Sequence, residues 1–144
     1  MNNVLTRDLV LVPGKATTKD SAILEAGGLL VGAGAVTPAY VDAMFERETQ
    51  VSTYMGNGLA IPHGTNEAKG DITRSAMCLI RYDQPIDWDG NPARVVVGIA
   101  GAGDEHLEIL SKVAILFSDS DEVEKLLAAP DADSVYALLQ AVNS

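Results

Sequence analysis

The sequence predicts an α/β protein of a single domain, with one sheet and helices packed on both of its faces. Three observations support this prediction: the length of 144 residues, the apolar content of 47%, and the mixture of short apolar runs with longer segments of helical periodicity. A chain of this length buries roughly 68% of its unfolded surface, which is enough for one substantial core. A second full domain is excluded.

Charge and cysteine content exclude several classes of function. Twenty acidic residues against ten basic ones give a net charge of -10, which repels nucleic-acid phosphates and anionic lipids. The single cysteine, Cys78, forms neither an internal disulfide nor a thiolate metal cluster, so we expect a reducing, cytoplasmic compartment. The first residues do not resemble a secretory signal, and the weakly polar stretches are far shorter than the roughly 20 residues that span a bilayer. We therefore expect no nucleic-acid partner and no insertion into a membrane.

The N-terminal part predicts a short strand and a helix. The apolar run at residues 9–12 is followed by Pro-Gly and is typical of a short strand. Thr17 or Thr18 is the candidate N-cap of the first helix, with Asp20 three residues after Thr17 as in a capping box. Apolar residues then recur at helical spacing, at Ala22, Ile23, Ala26, Leu29 and Leu30. Gly32 and Gly34 end the predicted helix.

The middle of the chain predicts a second helix and three strands. Thr37 and Pro38 suit the cap and first position of a helix that runs to about Thr49. The predicted strands are Gly58–Ile61, Ser75–Arg81 and Arg94–Ala100. The last one contains a continuous Val-Val-Val-Gly-Ile-Ala run, which is typical of a strand buried on both faces. The turn signal Asp-Gly-Asn-Pro separates it from the strand before it.

The C-terminal part predicts three helices. Asp104 is the candidate cap of the first. Its inward stripe is expected at Leu107, Leu110, Val113 or Ala114, and Phe117. Ser120 begins the next helix, which ends near Pro130, and Asp133 or Ser134 begins the last. Helices on both sides of the strand region can cover both faces of one sheet.

The two histidines are the candidate acids, bases or nucleophiles near neutral pH. His63 follows Pro62, which stiffens the chain, and precedes Gly64, which leaves space, so we expect an exposed imidazole at a strand end. Its local context alone equally fits an ordinary loop histidine. His106 is expected in the first turn of a helix, where the helix dipole favours an anion and disfavours a charged imidazole. If the strands that lead to them are neighbours, the two histidines meet at one sheet edge.

Arg47 is the third candidate. It lies between two glutamates, a pattern usual for a solvated helix surface. It also follows Met44 by three residues and Tyr40 by seven, so it borders the inward stripe, from which a guanidinium can hold two phosphoryl oxygens. Cys78 is most simply a core residue. No metal-binding spacing and no complete dinucleotide motif is present, so we expect no metal and no other cofactor.

Three segments, taken in order, resemble one protein family. They are Met44-Phe-Glu-Arg-Glu, the run from Ser52 to Thr65 with its Ala-Ile-Pro-His-Gly motif, and Asp104-Glu-His-Leu-Glu-Ile-Leu-Ser. They are similar to the mannitol/fructose-type IIA proteins of the bacterial phosphoenolpyruvate-dependent sugar phosphotransferase system. The resemblance covers residues 3–142, and residues 62–69 look like the mannitol branch. It implies a mixed sheet of about five strands flanked by helices.

The resemblance also implies a function, that of a phosphotransferase component that carries a phosphoryl group. The residue matching His63 accepts phosphate on Nε2 from the phosphocarrier protein HPr and passes it to a cysteine of the IIB component of a sugar permease. The residues matching Arg47 and His106 assist. Such a transfer needs positioning and charge stabilisation, and no metal. Asn57 departs from the pattern, because some mannitol-type members carry Glu before this motif.

Two other functions stay open from the sequence. A nitrogen-regulatory IIA homologue is phosphorylated in the same way but acts by binding regulatory targets. Thr65 together with Glu67-Ala-Lys69 favours sugar transport over that alternative. A ligand-binding domain without enzymatic activity would make both histidines incidental.

Overall fold

Within residues 4–140, which the computed structural model describes, five strands form one sheet and five α-helices surround it. The strands are β1 (Val10–Leu11), β2 (Tyr54–Gly56), β3 (Leu59–Ala60), β4 (Ala76–Trp88) and β5 (Asn91–Ala100). The α-helices are α1 (Lys19–Gly32), α2 (Pro38–Gln50), α3 (Glu105–Ser118), α4 (Ser120–Ala128) and α5 (Ala132–Leu138). Short 3-10 helices span Arg7–Leu9 and Asn66–Asp71.

The sheet is mixed, with the strand order β1-β4-β5-β3-β2. The antiparallel hairpin of β4 and β5 lies at its centre. β1 joins β4 and β3 joins β5 in parallel, while β2 pairs with β3 in antiparallel fashion. Residues Val95–Ala100 of β5 are buried without interruption, as their continuous apolar run predicts.

Helices cover both faces of the sheet, which confirms the predicted fold class. Cys78 Sγ of β4 donates to the Ala26 carbonyl of α1 at 3.4 Å. Arg81, an odd number of positions along the same strand, points to the opposite face. There its guanidinium donates to the Leu126 carbonyl of α4 at 2.8 Å. The core therefore has two layers, one on each side of β4 and β5.

The central hairpin is longer than the sequence predicts. β4 was expected to end at Arg81 but continues to Trp88, because the ladder changes register between Arg81 and Ile86. The irregularity accommodates the exposed Pro85, which has no N–H for a regular ladder. Asp89 and Gly90, with φ of 55° and 94°, make the tight turn that the Asp-Gly pair predicts.

Two helix starts differ from their predicted caps. Thr18 caps α1 in a reciprocal capping box with Ser21, not with Asp20 as partner. α5 begins at Ala132, slightly earlier than predicted, and its cap is Asp131, whose Oδ1 accepts the Ser134 amide at 2.8 Å. Both ends still follow the rule that a hydroxyl or carboxylate satisfies a free amide in the first turn.

The face that α3 turns inward is only partly the predicted one. Ile109, Val113 and Phe117 are buried, at the four-residue spacing of a single helix face. Leu107 was expected in this stripe but has 68% of its surface exposed. It precedes Ile109 by two residues, which places it roughly 200° around the helix.

None of the helices in the described part of the chain is long and apolar enough to cross a membrane.

Candidate active site

The two histidines meet at one edge of the sheet, as the sequence predicts. β3 runs parallel to β5, and the chain beyond β3 continues beside it, so that His63 lies opposite Ile99. β5 then leads through Gly101 into α3, whose second residue is His106. The imidazole centroids lie 5.0 Å apart, with the ring planes inclined by 52°. The site is therefore built where two parallel neighbouring strands end.

The His63 ring is held in one tautomer by its own backbone. Its Nδ1 lies 2.7 Å from the carbonyl oxygen of Ile61. A carbonyl oxygen only accepts, so Nδ1 carries the proton and Nε2 keeps its lone pair. The ring was expected to be exposed but has only 9% of its surface accessible, because it lies inside a cleft. This burial lowers the pKa of His63, which keeps the ring neutral and nucleophilic at neutral pH.

Gly64 fixes the backbone beside His63 through a close approach to Tyr40 of α2. A Cβ at Gly64 would lie 2.6 Å from Tyr40 Cε1, so no other residue fits without displacing the ring. The buried Tyr40 hydroxyl accepts the Gly64 amide at 2.9 Å and donates to the Ile99 carbonyl at 2.8 Å. Tyr40 thus ties α2, the His63 loop and β5 together. Its position in the apolar stripe of the helix is predicted from the sequence, but this hydrogen-bonding role is not.

Gly101 brings His106 into the site. A Cβ at Gly101 would lie 2.3 Å from His106 Cα and 2.6 Å from its amide nitrogen. Only a glycine therefore lets the first turn of α3 pack against the end of β5. Burial lowers the pKa of His106 to about 4, and electrostatic repulsion from His63, Lys69 and Arg47 contributes to the same shift. The ring is neutral at physiological pH, as expected, and burial is the largest cause of the lowered pKa.

The cleft next to His63 has a volume of about 160 Å³. Its walls are formed by Arg47, Gln50, His63, Gly64, Thr65, Asn66, Glu67 and His106. Arg47 Nη1 donates to the Val51 carbonyl at 2.8 Å, which leaves the other guanidinium donors for a ligand. An arginine and two imidazoles on a small cleft suit an anion, in a chain whose net charge is -10.

Two backbone amides near the start of α3 donate to partners within the protein. The Ala102 amide donates to Ser75 Oγ at 2.9 Å, and the Glu105 amide donates to the Ala102 carbonyl at 3.1 Å. Asp104 occupies the N-cap position without a capping hydrogen bond from its side chain. These two amides are therefore not the anion donors that a helix start offers in general.

Two other residues that the sequence analysis considered lie away from the cleft. Asn57, between β2 and β3, has a left-handed φ of 53° and its Nδ2 donates to the Phe117 carbonyl at 2.9 Å. A glutamate cannot donate this hydrogen bond, so the departure at this position has a structural counterpart. Cys78 is a buried core residue, and burial raises the pKa of its thiol to about 12. It is unreactive.

Within residues 4–140, no group of three or more His, Cys, Asp or Glu side chains is placed to hold a metal ion.

Solved structures of IIA proteins share this architecture. Enzyme IIA for mannitol from Escherichia coli, solved in a complex with phosphorylated enzyme IIB, superposes with a TM-score of 0.87 at 31% identity over 95% of this chain and 99% of that one. The nitrogen regulatory protein IIA from Neisseria meningitidis gives a TM-score of 0.82 at 30% identity, over 94% of this chain and 96% of the other. The mixed five-stranded sheet with flanking helices is thus the fold of mannitol-type IIA proteins.

The sequence comparison identifies the family within that class. Residues 3–142 match the family described as "Phosphoenolpyruvate-dependent sugar phosphotransferase system, EIIA 2". The mannitol-specific phosphotransferase enzyme IIA component of Halalkalibacterium halodurans is 54% identical over 97% of each chain. The chain belongs to this phosphotransferase family, which confirms the resemblance seen in its motifs.

Proposed function

We propose that this protein is the phosphoryl-carrying IIA component of a mannitol-type sugar phosphotransferase system. It accepts a phosphoryl group on Nε2 of His63 from phosphorylated HPr and passes it to a cysteine of the IIB component of a sugar permease. The observation that carries this proposal is the His63 ring itself. Its Nδ1 is committed to the Ile61 carbonyl at 2.7 Å, and the ring lies in the same small cleft as Arg47 and His106.

Each phosphoryl transfer requires only the donor group of one protein and the acceptor group of the other. In the first transfer the Nε2 lone pair of His63 attacks phosphorus, the P–N bond of the donor phosphohistidine breaks, and the donor ring regains its electron pair. In the second, a cysteine thiolate attacks phosphorus, the P–N bond to His63 breaks and Nε2 recovers its lone pair. The proton on Nδ1 stays in place throughout. The phosphorylated ring is then formally cationic, and the Ile61 carbonyl stabilises it through the retained hydrogen bond.

Arg47 and His106 stabilise the phosphoryl group during both transfers. The loose transition state carries charge on the phosphoryl oxygens, which fixed donors in a partly dehydrated cleft stabilise. A guanidinium supplies paired donors in one plane. A neutral His106 supplies one N–H, and we assign it this donor role and not that of a second phosphoryl acceptor. No step requires a metal or another cofactor.

The comparisons favour the mannitol branch over the nitrogen-regulatory one. The relative named as mannitol-specific is 54% identical, whereas the nitrogen regulatory protein is 30% identical. The complex of a related IIA with phosphorylated IIB supports IIB as the acceptor. The net charge of -10 speeds encounters with a donor that is cationic around its own histidine. We place the protein in the cytoplasm, where a free thiol such as Cys78 stays reduced.

The test is a phosphorylation assay with phosphoenolpyruvate, enzyme I and HPr, read by intact mass. The wild type and His106→Ala should each gain one phosphoryl group, while His63→Ala gains none. A mannitol-type IIB should then remove the phosphoryl group from the wild type. An acid-labile, base-stable phosphate on His63→Ala would refute the assignment. Phosphorylation without transfer to IIB would favour the nitrogen-regulatory function instead.

A further inference from the structure

Glu48 is a buried carboxylate for which the proposed phosphoryl transfer has no direct use. Only 8% of its surface is exposed. It accepts the Thr53 amide at 2.9 Å, the Thr53 hydroxyl at 2.6 Å and the Trp88 indole N–H at 3.2 Å. Lys19 Nζ lies 3.3 Å from it and also pairs with Asp89 at 2.7 Å. Burying a charge is costly unless such partners compensate it, so the arrangement is a specific one.

One branch of contacts leads from this carboxylate to His63. Thr53, which Glu48 holds by both its amide and its hydroxyl, accepts the Ile61 amide on its carbonyl at 3.0 Å. Ile61 in turn accepts Nδ1 of His63 at 2.7 Å. The orientation of the imidazole thus depends on the position of Ile61, which depends on Thr53.

A second branch leads to Arg47. Its guanidinium donates to the Val51 carbonyl at 2.8 Å, and Val51 lies two residues before Thr53 in the segment that follows α2. Val51 itself is 65% exposed, so packing does little to hold this residue. By holding Thr53, the Glu48 carboxylate therefore fixes the segment to which both Arg47 and, through Ile61, His63 are hydrogen-bonded.

We propose that Glu48 is a positioning residue: its carboxylate clamps the segment 51–53 and thereby sets the Arg47 guanidinium and the Nε2 atom of His63 at the separation that phosphoryl transfer needs. This inference rests on the proposed function. Such a group acts through others, because reacting atoms must be held to a fraction of an ångström although the residue never touches the phosphoryl group.

The competing explanation is that Glu48 only joins helices to the central hairpin. Lys19 is the first residue of α1 and Trp88 the last of β4, so the carboxylate also links those elements. On that explanation its loss lowers stability and leaves the geometry of the His63 ring unchanged. The two explanations therefore differ in a property that can be measured without any phosphoryl donor.

The chain offers a matched control. Glu25 of α1 is another carboxylate that accepts backbone amides, from Lys15 at 2.9 Å and from Ala16 at 3.3 Å, together with the Tyr82 hydroxyl at 2.7 Å. Lys15 and Ala16 follow β1, and Tyr82 lies in β4, the strand that β1 joins. None of the three lines the cleft. Glu25→Gln thus removes the same kind of anchor at a distance from the cleft.

The experiment compares Glu48→Gln with Glu25→Gln in the full chain. Nitrogen-resolved NMR of the His63 ring reports how much of the Nδ1–H tautomer is present, and the rate of phosphorylation by phospho-HPr reports transfer. A glutamine offers one acceptor oxygen where Glu48 uses two. We expect Glu48→Gln to lose part of the Nδ1–H tautomer and to transfer on the order of tenfold more slowly, as misplacement of reacting groups does. Glu25→Gln should keep both the tautomer and the rate.

A milder variant covers the case in which Glu48→Gln does not fold. Thr53→Val keeps the backbone contact to Glu48 and removes the hydroxyl one, so it should change the tautomer and the rate in the same direction by less. An unchanged His63 tautomer in folded Glu48→Gln, or equal losses in Glu25→Gln, would overturn the inference. Failure of the wild type to be phosphorylated would instead overturn the proposed function, because the NMR measurement needs no donor.

Discussion

Replacing Gly101 by alanine tests how His106 comes to lie in the cleft. The added Cβ would meet backbone atoms of the first turn of α3, with His106 Cα at 2.3 Å and its amide nitrogen at 2.6 Å. Because these are backbone atoms, no side-chain rotation relieves the overlap. The first turn of α3 must move away from the end of β5, and the His106 imidazole moves with it.

The magnitude follows from that distance. An ordinary contact begins near 3.4 Å, so a 2.3 Å approach must lengthen by about 1.1 Å. Overpacking of this kind costs about 1–3 kcal/mol of folding stability. A displacement of about 1 Å at a reacting group costs on the order of a hundredfold in rate. We therefore expect Gly101→Ala to be less stable than the wild type and to transfer the phosphoryl group on the order of a hundredfold more slowly.

Gly28→Ala is the matched control for that substitution. Gly28 lies in the interior of α1, and a Cβ there meets nothing within 4 Å. Alanine should stabilise the protein by about 0.4–1 kcal/mol, because it restricts the unfolded chain more than glycine does. Both variants are measured by thermal unfolding and by the phosphorylation rate with phospho-HPr. A wild-type melting temperature and rate in Gly101→Ala would refute the reasoning, since the backbone would then have absorbed the overlap without moving His106.

Arg47→Lys keeps the charge but loses the planar pair of donors, so transfer should slow by about tenfold or more at an unchanged melting temperature; an equal rate would show that Arg47 does not contact the phosphoryl group. His106→Ala should still be phosphorylated on His63, but about a hundredfold more slowly, because one donor to the developing charge is lost. We also expect the His106 side chain to make folding stability depend on pH. Its pKa is lowered from 6.5 to about 4 in the folded protein, so the unfolded chain binds the proton first and folding stability declines as pH falls from about 6.5 towards 4. His106→Asn should flatten that decline, and denaturant unfolding across the interval measures it; an unchanged slope would contradict a half-buried, neutral His106 ring.

Local sequence signals predicted the elements that depend on local chemistry, and they failed where tertiary contacts decide. The Pro38 start of α2 and the continuous apolar run of β5 are confirmed. β2 was missed, because Tyr54–Gly56 is three residues long and gains its strand conformation only by pairing with β3. The 3-10 helix Asn66–Asp71 was likewise missed, since its polar composition carries no periodic pattern.

The structure brings the three predicted residues His63, His106 and Arg47 to one cleft, but the surroundings of His63 differ from the prediction. The condition stated from the sequence for His63 and His106 to meet was that β3 and β5 be neighbours, and the structure adds that the two strands are parallel. The degree of exposure was wrong for His63, because the walls of its cleft come from α2, from the loop after β3 and from α3, which are distant in sequence. The Tyr40 hydroxyl bond to Gly64 is likewise a contact between residues 24 positions apart. No local pattern reports a contact of this kind.

The triplet Glu46-Arg47-Glu48 nevertheless contains a signal that periodicity can resolve. Tyr40, Met44 and Glu48 follow one another at four-residue spacing and so lie on one face of α2, the face that is buried. Successive residues turn by about 100° around a helix, which leaves Arg47 beside that face, at the cleft, and Glu46 exposed. An acidic residue at helical spacing from buried apolar residues therefore indicates a buried carboxylate that has hydrogen-bond partners within the protein. In α2 the same stripe supplies core packing through Met44 and fixes the cleft through Tyr40 and Glu48, so stability and site geometry depend on one helix face.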